Sequence, residues 1–109
     1  MNYNVFFHSN FIKELKPLNK KYPSLSKDIE NIIQNIENQL SLATELGGGF
    51  KKIRLKIKSK NKGSSGGARL IIYETLINLN ENEVVFASIY DKSEYQNIDV
   101  NILKIILEN

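Results

Sequence analysis

The 109-residue chain contains no cysteine, a single histidine and two prolines. Without cysteine there is no disulfide, no thiolate metal site and no cysteine nucleophile, a set of absences that suits a reducing compartment. One histidine, His8, argues against a histidine-built metal centre and against the paired-histidine chemistry of many ribonucleases. The N-terminus lacks the basic, apolar and small-residue order of a signal peptide, and no apolar run approaches the ~20 residues of a membrane span. The expectation is a cytoplasmic chain, away from membranes, with residues 1–109 forming one domain and with no metal or small-molecule cofactor.

Acidic residues are missing from one long stretch. Phe50 to Tyr73, FKKIRLKIKSKNKGSSGGARLIIY, holds eight of the 15 Lys and Arg residues and none of the 12 Asp and Glu. The net charge of +3 is therefore the difference between a basic middle and acidic flanks, a distribution that favours a nucleic-acid partner. From Lys52 to Lys58 base and apolar residue alternate, the period of a half-buried strand. Ile53, Leu55 and Ile57 are predicted to enter the core, with Lys52, Arg54, Lys56 and Lys58 in a row on the opposite face, shared with Arg69. Cations about 7 Å apart repel one another unless a polyanion lies across them. Edge protection of a strand needs one or two lysines, not a basic segment that continues through Lys60 and Lys62 into the next loop.

Along the chain, Asn2–His8 reads as a first strand covered on both sides, with His8 hydrogen-bonded at a strand-to-helix junction. Ser9 or Asn10 is expected to cap a helix carrying Phe11, Ile12, Leu15 and Leu18, kinked or ended near Pro17. A second helix starts after Pro23-Ser24, its stripe made by Leu25, Ile29, Ile32, Ile33, Ile36 and Leu40. Gly47-Gly48-Gly49 closes it and turns the chain into the basic strand. The loop from Ser59 to Gly67 lacks the residue order of a nucleotide-binding P-loop. Ala68–Leu79 and Glu83–Tyr90 read as two further strands joined by a turn at Asn80-Glu81-Asn82, and Ile98–Leu107 as a final helix with Ile98, Ile102, Ile105 and Ile106 inward. The fold class is α+β: an N-terminal strand and two helices, then an antiparallel meander of three strands and a short C-terminal helix.

Three phrases, KKYPSL, KIRLKIKSKNKGSSGGAR and IYDKSEYQNI, resemble the RelE/ParE toxin superfamily, in particular the HigB-like branch of RelE toxins. The similarity extends from about Phe11 to the C-terminus, and KSKxKGxSGGAR followed by IYDKSE is its specific part. The resemblance implies a RelE-like fold, a cognate antitoxin, and cleavage of messenger RNA in the ribosomal A site, hence contact with the ribosome and its 16S rRNA. It also assigns residues. Arg54 and Lys56 match the two basic positions of the RelE strand, Arg69 matches the arginine of the next strand, and Lys92 matches the basic residue after the last. The tyrosine implicated in RelE activity falls at or near Ile98, so that Tyr95 or Tyr73 substitutes, or neither. Lys52, Lys58, Lys60 and Lys62 are left as RNA contacts.

These residue types suit strand cleavage by the RNA 2′-hydroxyl. Such a reaction needs a base for that hydroxyl, stabilisation of the pentavalent phosphate and an acid for the departing 5′-oxygen. Clustered cations stabilise the phosphate, and a lysine among arginines is a better base at neutral pH than a lone surface lysine. Two other functional classes fit the same fold or the same charge: a ParE-like inhibitor of DNA gyrase, and a basic RNA-binding module without catalysis. Gyrase binding needs no row of cations around a scissile phosphate, whereas the RNA-binding module keeps the patch and drops the chemistry.

Overall fold

The computed structural model describes residues 1–60, 66–93 and 98–108. Strand β1 (Asn2–Phe7) leads into helices α1 (Ser9–Lys21), α2 (Leu25–Gln34) and α3 (Ile36–Leu42). Then come β2 (Thr44–Gly47), β3 (Phe50–Leu55), a 3-10 turn at Lys58–Lys60, β4 (Ala68–Asn78), β5 (Glu81–Asp91) and α4 (Val100–Leu107). The strands form one sheet in the order β1-β5-β4-β3-β2. The meander β3-β4-β5 is antiparallel, as is β2 on β3, and β1 lies parallel to β5 at the far edge. Among the described residues no helix is long and apolar enough to cross a membrane.

One sheet face carries Ile53, Leu55, Leu70, Ile72, Val84 and Phe86, packed under Phe11, Leu18, Leu25, Ile29, Ile32, Ile36 and Leu40 of the first three helices. Burying each of these large side chains stabilises the fold by about 1.5–3 kcal/mol, before the entropy of ordering the chain is set against it. The opposite face is covered by α4, whose Leu103 packs against Phe50, Ile71 and Tyr90. The alternation read from the basic segment holds in its apolar half: Ile53, Leu55 and Ile57 are all buried.

Several expectations are corrected. Strand β1 lies at the sheet edge and is covered on one face only, leaving Phe6 51% exposed on the other, while Phe7 stacks on Phe11 on the covered face. The α1 cap is His8, whose Nδ1 accepts from the Asn10 N–H at 3.0 Å, and neither Ser9 nor Asn10 fills that role. Pro17 neither ends nor shortens α1; it is exposed, so water can serve the carbonyl that loses its donor. The long second helix is divided at Asn35, whose side-chain amide donates to the Asn31 carbonyl at 2.9 Å and competes with the helical ladder. The three glycines end no helix. With φ of 91°, 62° and 89° they form the turn between β2 and β3, a conformation that favours glycine at each position. The β4–β5 turn comes earlier than expected because the Asn78 side chain accepts from the Asn80 N–H at 2.8 Å. Helix α4 turns Leu103, with Val100 and Leu107, toward the sheet, so that Ile102 and Ile105 are 54% and 63% exposed. Apolar residues occupy nearly the whole circumference of that helix, and sequence spacing alone does not say which stripe is buried.

Candidate functional site

Strand β2 pairs with β3 only as far as Lys52, so among the described residues β3 has no strand beside it on that side from Ile53 onward. Two adjoining open furrows run along that side against α2 and α3. The first, of about 390 Å³, is bordered by Lys52 and Arg54 together with Gln39 and Thr44. The second, of about 230 Å³, is bordered by Arg54, Lys56 and Lys58 with Gln39 and Asn31. Arg54 and Gln39 border both, so the basic segment walls two neighbouring depressions. The strand itself ends at Leu55, so Lys56 lies just past it and Lys58 sits in the 3-10 turn; the expected row of four on one strand face is reduced to Lys52 and Arg54. Arg54, Lys56 and Lys58 are exposed, and Lys52 is half-buried.

Arg69 departs most from expectation. On the central strand it stands directly across from Arg54 on one side and Tyr90 on the other, giving the order Arg54, Arg69, Tyr90 across three strands. It does not share the exposed face foreseen for it: Arg69 is 3% exposed, because Tyr90, Ile71 and Leu103 build an apolar cluster on the same side of the sheet. Its Nη1 donates to the Ala68 carbonyl at 3.1 Å. Burial, and then the charge of Arg54, disfavour its charged form, so its pKa lies below the ordinary guanidinium value, while Tyr90 opposes the shift. Arginine nevertheless keeps its proton at physiological pH. Burial in turn pushes the Tyr90 hydroxyl pKa up, with Arg69 acting against it.

The end of the basic segment is held by two buried carboxylates. Asp28, 4% exposed, accepts from the Lys58 N–H at 3.2 Å and from the Ser24 hydroxyl at 2.8 Å, and Ser24 Oγ accepts from the Ser59 N–H at 2.8 Å. Asp91, fully buried at the end of β5, accepts from Lys60 Nζ at 2.6 Å and from the Tyr22 hydroxyl at 2.6 Å. Burial alone would raise the Asp91 pKa, but the hydrogen bonds from Lys60, Tyr22 and Ser93 outweigh it and hold the carboxyl well below the usual carboxylate range. Gly67 is required where β4 begins: a Cβ there would meet the Leu55 carbonyl oxygen at 2.1 Å. The Gly67 carbonyl accepts from the Lys92 N–H at 3.0 Å, which fixes the start of Lys92 beside the first residues of β4.

Arg54, Lys56, Arg69 and Lys92 thus lie on neighbouring segments at one end of the sheet. Lys60 is not on the open surface but on Asp91, with its side chain 11% exposed. Tyr95 and Lys62 lie outside the described residues. Tyr73 is brought elsewhere: four positions from Arg69 along β4, about 13 Å away, it packs on Phe50 with ring centroids 5.0 Å apart. Sequence reasoning passed over Tyr22, Asp28, Tyr90 and Asp91. Tyr22, Tyr90 and Asp91 all sit inside the phrases KKYPSL and IYDKSE, and that placement was the available signal.

No curated protein is similar enough to the chain to count as a match. The family model described as "RelE toxin of RelE / RelB toxin-antitoxin system" matches residues 4–108, nearly the whole chain, from within β1 to the end of α4. The chain therefore belongs to the RelE toxin family of toxin–antitoxin systems.

Proposed function

We propose that this toxin is a ribosome-dependent messenger-RNA endonuclease of the HigB-like branch, acting in the cytoplasm as a single domain and restrained by a cognate antitoxin. The observation that carries the reading is the cross-strand pairing of exposed Arg54, which borders the basic furrow, with buried Arg69. A messenger strand lies along the furrow with its phosphates against Lys52, Arg54, Lys56 and Lys58. The scissile phosphate sits between Arg54 and Arg69. The 2′-hydroxyl attacks phosphorus, the bond to the 5′-oxygen breaks, and the two guanidinium groups stabilise the charge that grows on the equatorial oxygens. Proton transfer falls to Lys56, Lys92 and Tyr95, with no metal or cofactor taking part. Tyr90 stands across from Arg69 on β5 and is assigned no proton transfer.

Primer extension on a defined messenger, with purified protein and with or without ribosomes, tests the proposal when run beside a gyrase supercoiling assay. Cuts that require ribosomes, with supercoiling untouched, are expected. Inhibited supercoiling without cuts would assign the chain to the ParE-like class, and RNA binding without either activity would leave a non-catalytic module.

A further inference from the structure

We propose that Asp91 is a positioning residue for this site, and that Lys60 is its strut: the pair fixes the turn that ends the basic segment, and Lys60 does not contact RNA phosphate. The part of the proposal that concerns cleavage rests on the nuclease reading above. Asp91 is fully buried and saturated with donors. One carboxylate oxygen accepts from Lys60 Nζ at 2.6 Å, from the Ser93 N–H at 2.9 Å and from the Ser93 hydroxyl at 2.8 Å. The other accepts from the Tyr22 hydroxyl at 2.6 Å. Three segments distant in sequence therefore meet on one side chain: the junction after α1, the Lys58–Lys60 turn and the end of β5.

The Lys60 ammonium is enclosed by this arrangement and also lies 5.5 Å from the centroid of the Tyr22 ring. To reach a phosphate it would have to leave a fully buried carboxylate without its cation, a loss that one surface phosphate contact does not return. Among the cations of the basic segment, Lys60 is thereby set apart from the exposed Arg54, Lys56 and Lys58. Its location also explains how a residue away from the furrow can govern the chemistry. Asp91 pairs with Ala68 across β4 and β5, one residue from Arg69, and precedes Lys92, while Lys60 ends the turn that follows Lys56. Asp28 braces the same turn through the Lys58 N–H. Removing the strut frees the turn to shift relative to Arg69, and displacement of a positioned group by about 1 Å is enough to lower a rate up to 10²-fold.

The test uses the intact chain and four variants: Lys60→Met, Lys60→Arg, Asp91→Asn and the double variant Lys60→Met with Asp91→Asn. Single-turnover cleavage of ribosome-bound messenger and the salt dependence of affinity for a single-stranded RNA are measured for each folded protein. Lys60→Met should lower the cleavage rate on the order of tenfold at saturating toxin. Lys60→Arg, which keeps the ion pair, should recover most of that loss, and the double variant should be no slower than the slower single one. The double variant removes both charges together, so its salt slope should equal the wild type's. A slope smaller by about 0.7, the value of one lost phosphate contact on a single strand, would overturn the proposal. So would Lys60→Met cleavage at the wild-type rate. Should Asp91→Asn fail to fold, the Lys60 variants decide alone. A wild type that cleaves nothing would sink the nuclease reading, and the salt slope would then decide whether Lys60 is internal.

Discussion

Arg69 and Arg54 are direct partners across β4 and β3, and of the two only Arg54 is exposed. Burial, and then the charge of Arg54, both disfavour the charged form of the Arg69 guanidinium. Geometry then separates charge from shape. Arg69→Lys keeps the positive charge and loses the planar fork, so the single-turnover rate should fall on the order of 10²-fold with RNA affinity nearly unchanged. Rapid-quench kinetics on ribosome-bound messenger measure the rate, and equal rates for the two proteins would remove Arg69 from the chemistry.

The exposed cations should behave differently. Arg54→Gln and Lys56→Gln each remove a side chain that borders the furrow, and each should reduce the salt slope of single-stranded RNA binding by about 0.7. Titrations at several salt concentrations give that slope directly. A change in affinity with an unaltered slope would place neither residue on a phosphate.

Much of this was legible in the chain. The alternation from Lys52 to Lys58 identified Ile53, Leu55 and Ile57 as core, and the stripe from Leu25 to Leu40 gave the buried face of α2 and α3. Two kinds of information were not local. Arg69 lies on the sheet face where Leu103 of α4 packs against Ile71, residues more than thirty positions apart, and its own alternation with Ile71 does not show that this face is covered. The capture of Lys60 by Asp91 likewise depends on strand order, because β5 ends beside the 3-10 turn only once β4 lies between β3 and β5. Charge pattern alone counted Lys60 among the surface cations. The short strand β2 was missed because Thr44–Gly47 has little strand character of its own and gains its conformation by pairing with Phe50–Lys52.

Helix α4 offers a packing test. Leu103 is fully buried while its neighbour Ile102 is 54% exposed. Leu103→Ala should destabilise the protein by about 2–5 kcal/mol, and Ile102→Ala by no more than roughly 1 kcal/mol. Urea denaturation of both variants measures the difference. Equal losses would mean that α4 presents a different face to the sheet.

Asp91 makes stability depend on acid. Its carboxyl titrates below the ordinary value of 3.8 in the folded protein, so the folded state binds this proton less readily than the unfolded chain. The contribution is therefore complete above the unfolded value and is lost as pH falls through the folded one. Between about pH 5 and pH 2 the wild type should lose stability more steeply than Asp91→Asn, which has no carboxyl to protonate. Denaturation curves collected across that range give the two slopes, and parallel loss would show that Asp91 is not held as an ion pair.

Arg69 is the residue proposed to act on the scissile phosphate. Purified wild-type toxin and Arg69→Ala, matched for folded content and for ribosome binding, are compared by primer extension on the same ribosome-bound messenger. The account predicts discrete cuts by the wild type and none by Arg69→Ala, together with loss of growth arrest when the variant is expressed. Cleavage by Arg69→Ala at the wild-type rate would contradict it.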